Sequence, residues 1–64
     1  MKETELWARL QHHLGAGYYR VWAAEQSLPD VGGRTVVQAL EAGVSSKDVW
    51  RAAWTALELP ARER

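Results

Sequence analysis

Apolar residues recur every three or four positions along almost the whole chain. The recurrence breaks at Gly15 and Gly17, at Pro29 with Gly32-Gly33, at Gly43, and at Pro60. This is the spacing of one face of an α-helix, and no stretch alternates with the period of two that a half-buried strand needs. The breaks predict four short helices. A chain of 64 residues has room for a single modest core, so these helices must bury their apolar stripes against one another. The expected fold is all-α: one domain over residues 1–64, a compact bundle of four short helices with a helix-turn-helix-like C-terminal half.

Local signals place each element. The first helix is expected from about Glu5 to Leu14, capped by Thr4, with Glu3 and Glu5 at the positive end of its dipole. Leu6, Leu10 and Leu14 form its stripe, Trp7 lies beside them, and Gly15 is the stop. The second helix is expected from about residue 17 to Gln26, with Tyr18, Val21 and Trp22 on one face and Tyr19 to the side. Pro29 disfavours helical geometry at Leu28. Leu28-Pro29-Asp30-Val31 then reads as a turn that tucks Leu28 and Val31 inward, and Gly32-Gly33 reverses the chain.

The third helix is expected over Val36–Ala42. Thr35 and Gln38 have the spacing of a capping box, in which two side chains satisfy two helix-end amides reciprocally. Val36, Val37 and Leu40 form its stripe, and Gly43 ends it. The fourth is expected over Ser46–Glu58, with Ser45 and Asp48 as a second cap and Val44 and Val49 as the flanking hydrophobic staple. Val49, Trp50, Ala53 and Leu57 face the core. Pro60 is the stop, and residues 60–64 are expected to fray.

Composition narrows the function classes. Lys and Arg number 8 and Asp and Glu number 8, so the formal charge is zero; a simple phosphate-backbone clamp would be basic. The absence of Cys excludes a disulfide scaffold and a metal-thiolate module. No apolar run approaches the roughly 20 residues that span a bilayer. The acidic start Met1-Lys2-Glu3-Thr4-Glu5 lacks the pattern of a secretory leader, so a cytoplasmic setting is expected. Four Trp with no Phe supply the large buried areas a small core needs, and leave room for one Trp at a partner surface.

Few residues suggest chemistry. His12 and His13 are adjacent, so on a helix they point about 100° apart and do not make a metal pair. The serines lack a base and an orienting group, and no nucleophile elbow is present. The expectation is no enzyme, no catalytic residue, no cofactor and no metal. Gly32-Gly33-Arg34-Thr35 is a candidate anion or nucleic-acid contact, because free amides at a helix start attract negative charge. Thr35 to Arg51 resembles a helix-turn-helix in spacing: Ala39 permits close approach, Gly43 turns the chain, and Val44 and Val49 pack across the corner. Its second helix offers Lys47, Asp48, Arg51, Thr55 and Glu58, which is charge-mixed, and carries the bulky Trp50 and Trp54.

Taken as a set, Leu6-Trp7, Gly15, Tyr18, Gly32-Gly33-Arg34-Thr35, Ala39-Leu40, Gly43, Val49-Trp50-Arg51-Ala52 and Leu59-Pro60 resemble an uncharacterised family of small actinobacterial proteins, a domain of unknown function. The resemblance spans essentially the whole chain. Pro29 departs from the family pattern, which looks helical up to the double Gly. The resemblance implies a compact all-helical protein with no assigned activity. It also implies a gene often encoded near the recombinase RecA and its regulator RecX, hence a role around DNA repair or recombination.

The leading functional expectation is a non-enzymatic module that binds another protein through Trp54, Arg51, Lys47 and Trp50, with Trp7 or Tyr19 contributing. The alternative is a helix-turn-helix-like nucleic-acid binder that places Arg34, Lys47 and Arg51 on phosphates. Self-association is a further expectation for a core this small.

Overall fold

The computed structural model describes residues 1–61. Among the described residues four α-helices follow in order: α1 (Glu3–Leu14), α2 (Tyr19–Glu25), α3 (Val36–Glu41) and α4 (Ser46–Ala56), with a 3-10 turn at Pro29–Val31 between α2 and α3. The fold is all-α. Helix α1 packs on α2 and α4, α2 on α3, α3 on α4, and the 3-10 turn on α4. The result is a closed globule of 25 × 24 × 20 Å.

Trp50 forms the centre of the core at 1% exposure, surrounded in the same cluster by Leu6, Leu10, Leu28, Val36 and Val49, all fully buried. His13 stacks on the Trp50 ring at 5.8 Å, and the Arg9 guanidinium lies 5.5 Å from the ring centroid. Those two half-buried α1 side chains cover the Trp50 ring while their polar ends stay near water. Ala23, Ala39 and Ala53 are buried without any exposure, which lets the short helices approach closely.

The C-terminal half follows the capping logic of its sequence. The Thr35 hydroxyl accepts from the Gln38 amide at 3.2 Å, and the Gln38 side chain accepts from the Thr35 amide at 3.0 Å. Ser45 accepts from the Asp48 amide at 3.2 Å. Between them, Val44 N–H donates to Ala39 O at 3.0 Å and Gly43 N–H to Leu40 O at 3.1 Å. This pair of bonds satisfies the last carbonyls of α3 and needs a left-handed residue at Gly43, whose φ is 89°.

Several helix boundaries differ from the sequence expectation. Helix α1 starts earlier: Lys2 is its cap residue, and Thr4 lies inside the first turn with no capping bond. The Lys2 carbonyl accepts from both Glu5 and Leu6 amides, at 3.0 and 3.1 Å, so the backbone begins the helix without a side-chain cap. Helix α2 starts at Tyr19 and ends at Glu25, and its buried face is Tyr19, Trp22 and Ala23. Tyr18 and Val21, expected inside, are 52% and 47% exposed. The cause is the turn at residues 15–18: Gly15 O accepts from both Tyr18 and Tyr19 amides, at 3.2 and 3.1 Å, which sets the rotation of everything that follows.

Helix α4 ends at Ala56, before Glu58 and well before Pro60. Leu59 N–H donates to Trp54 O and Glu58 N–H to Thr55 O, both at 3.2 Å. This repeats the bond pair at the end of α3, with Glu58 holding the left-handed position at φ 54°. Pro60 is tied rather than frayed, because Trp54 Nε1–H donates to its carbonyl at 2.9 Å. Residues 62–64 of the expected frayed tail lie outside the described residues.

Pro29 opens the 3-10 turn, and Leu28 and Val31 are buried as expected. Leu28 N–H donates to Arg34 O at 2.9 Å, closing the loop at its base.

Candidate interaction surfaces

Among the described residues, two surface hollows bear on the expected sites. The first has a volume of about 400 Å³ and is lined by Asp30, Val31, Gly32, Arg34, Val44, Asp48, Arg51 and Ala52. The loop after α2 supplies one wall, the α3–α4 turn and the first turns of α4 the other. This brings Gly32 and Arg34 together with Arg51, as the nucleic-acid reading of the sequence expects for the two arginines, but without Lys47. Its floor is apolar, through Val31, Val44 and Ala52, and its rim carries two arginines and two aspartates.

Arg34 is partly committed. Its Nη1–H donates to Val31 O at 3.3 Å, and a Cβ at Gly32 would stand 3.0 Å from that same nitrogen. Glycine there lets the guanidinium fold back over the turn. Arg51 is exposed, and among the described residues it has no ion-pair partner.

The anion cradle expected at Gly32-Gly33-Arg34-Thr35 is closed. Gly32 N–H donates to Pro29 O, Gly33 N–H to Leu28 O, Arg34 N–H to Val31 O and Thr35 N–H to the Gln38 side chain. No backbone amide of the segment is left for an anion. Thr35 is itself buried and its hydroxyl is occupied by the cap. The double glycine therefore serves the turn.

The expected tryptophan surface divides. Trp50, proposed from the sequence as a contact residue, is core and offers a partner nothing. Its i+3 and i+4 neighbours are Ala53, which is buried, and Trp54, which is half-buried with its indole N–H held by Pro60. Lys47 is exposed but lines neither hollow.

The second hollow, of about 610 Å³, is lined by Thr4, Trp7, Ala8, Gln11, Tyr19, Arg20 and Val37. It is a mostly apolar groove where α1, α2 and α3 meet. Trp7 and Tyr19 meet edge to face at 6.2 Å, a favourable aromatic geometry. Trp7 Nε1–H donates to Glu3 Oε1 at 3.3 Å, and Arg20 Nε–H donates to Tyr19 Oη at 3.0 Å. The Glu3–Trp7 spacing of four, one turn of helix, was the available sequence signal for this groove.

His12 and His13 meet edge to face at 5.0 Å. Among the described residues no group of three or more His, Cys, Asp or Glu could hold a metal ion. Among the same residues no helix is long and apolar enough to cross a membrane.

The sequence model of a family described as "Protein of unknown function (DUF3046)" matches residues 1–62. The chain belongs to this family. No curated protein and no solved structure matches it. The DUF3046 match spans both hollows and all four helices, so these surfaces belong to the family domain itself.

Proposed function

We propose that this DUF3046 chain is a non-enzymatic module that binds a segment of another protein in the Arg34/Arg51 hollow. The observation that carries the reading is the mixture of charge there: two arginines and two aspartates around an apolar floor. A peptide with side chains of both signs complements that rim. A phosphate backbone would meet two carboxylates as well as the guanidinium groups. The hydroxyls of Thr35 and Ser45 act as caps, and His13 lies against Trp50, which supports a binding role over catalysis. A chain without Cys fits a reducing, cytoplasmic setting.

The second reading is a nucleic-acid binder using the α3–turn–α4 corner as a helix-turn-helix. It is favoured by Arg34 and Arg51 sharing one hollow, while Arg20 lies on the other groove. Immobilised chain compared with Arg51→Glu and Arg20→Ala separates the readings. The expected outcome is a protein captured from lysate by wild type and by Arg20→Ala, and lost with Arg51→Glu. Duplex DNA should show no mobility shift at about 50 mM salt, where phosphate binding is strong. A DNA shift abolished by Arg51→Glu would overturn the proposal in favour of the second reading.

A further inference from the structure

Among the described residues, α2 and its cap residue carry two of the three large apolar side chains left in water. These are Tyr18 and Val21, and the third is Met1. Ala24, one turn from Val21, is exposed on the same face. The buried residues Tyr19, Trp22 and Ala23 lie on the opposite side, so Val21 and Ala24 form the crest of a helix whose other face is already packed.

Charges flank that crest. Arg20 lies on one side and Glu25 on the other, five positions apart. Both are exposed, and among the described residues neither has an ion-pair partner. The Arg20 guanidinium is nevertheless held in place, with Nε–H on Tyr19 Oη at 3.0 Å and its carbon 5.6 Å from the Tyr19 ring centroid. Nε makes that bond, which leaves the two terminal nitrogens to take a carboxylate.

This order matches the seam of a parallel two-stranded helix pair. There, apolar residues three apart face their own copies, and the residue before the first pairs with the residue five positions on in the partner helix. Arg20, Val21, Ala24 and Glu25 occupy those four positions. We propose that α2 is a self-association surface and that its occupant is α2 of a second copy, related by a two-fold axis parallel to the helix. Val21 and Ala24 then meet their symmetry mates, and Arg20 of each copy pairs with Glu25 of the other, twice by symmetry. Helix α2 has 7 residues. Two turns bury less than the roughly 1,200 Å² of a standard interface, so the pair is a weak and reversible one.

Sedimentation equilibrium of the full chain from about 10 µM to 1 mM tests this. The mass should rise from 7.2 kDa towards twice that value and no further. Arg20→Glu and Glu25→Arg should each move the midpoint about tenfold upward, since each places like charges opposite one another. The double exchange R20E/E25R should restore the midpoint to within about threefold, and circular dichroism should show every variant folded. Higher salt should weaken wild-type association. A wild type that stays monomeric at 1 mM would overturn the proposal, as would assembly beyond a dimer. So would a double exchange no better than either single variant.

Discussion

The two helix corners of this protein solve the same problem by different means. At residues 42–45 the chain leaves α3 through paired amide bonds to Ala39 and Leu40 and enters α4 under the Ser45 side chain. At residues 15–18 it leaves α1 and enters α2 with no side-chain cap on either helix, and the Gly15 carbonyl alone takes two amides. The first corner is specified by neighbours in sequence. The second is held by what lies beyond it, namely Tyr19, Trp22 and Ala23 in the core. Local bonds of the first kind contribute about 1 kcal/mol each, whereas burial of one large aromatic contributes several times that. The uncapped corner therefore depends more on the core than the capped one.

Removing that burial should have the largest effect. Trp22→Ala deletes the main buried side chain of α2 and should cost about 3–5 kcal/mol. A domain this size holds about 3–10 kcal/mol in all, so urea denaturation should find the variant largely unfolded. A variant with a near-normal midpoint would refute the dependence of this corner on the core.

Backbone geometry at the same corner comes next. Gly15 has φ 89° and ψ 151°, a combination almost confined to glycine. Open space surrounds the site, so Gly15→Ala should be destabilising through strain alone, by about 2 kcal/mol. The thermal midpoint reads this directly, and an unchanged midpoint would show that the turn can rearrange.

At the capped corner the expected losses are smaller and local. Ser45→Ala should cost about 1 kcal/mol, and amide exchange should speed up at Asp48 while staying slow at Trp50. A uniform loss of protection across the chain would mean that this cap contributes to the whole fold and not to one turn.

The smallest effect has the opposite sign. Glu58 occupies the left-handed position that Gly43 occupies at the end of α3, with φ 54°. Glu58→Gly relieves a conformation that L-residues adopt at a cost, against some added freedom of the unfolded chain. A net gain of about 0.5 kcal/mol is expected in denaturant midpoint. A loss would mean that the Glu58 side chain contributes more than its backbone strain costs.

Legibility in the sequence follows the same division. The Thr35/Gln38 box, the Ser45 cap, the Gly43 stop and the inward turn of Leu28 and Val31 are all where side-chain chemistry announces them. Thr4 misleads because Lys2 starts α1 through its backbone, and a carbonyl leaves no residue signature. Tyr18 and Val21 mislead because periodicity gives a stripe but not its absolute rotation. Two adjacent tyrosines fit either choice until the turn at Gly15 sets the phase. The surface sites were half legible. The sequence pairs Arg34 with Arg51 only in the nucleic-acid reading, and the two aspartates that share their hollow depend on the 3-10 turn packing on α4. Trp50 lies on the stripe that the spacing turns inward, and its full burial leaves it no share in a contact surface with Trp54.

From its sequence alone this chain is committed to short helices, to the places where the last two begin, and to one shared core. Spacing and capping are local, and the physics that reads them acts within a turn or two of helix. Tertiary packing alone decided that Tyr19 rather than Tyr18 is buried and that two arginines and two aspartates surround one hollow. Those outcomes depend on how four apolar stripes fit together in space, and close packing admits one mutual rotation where periodicity permits several.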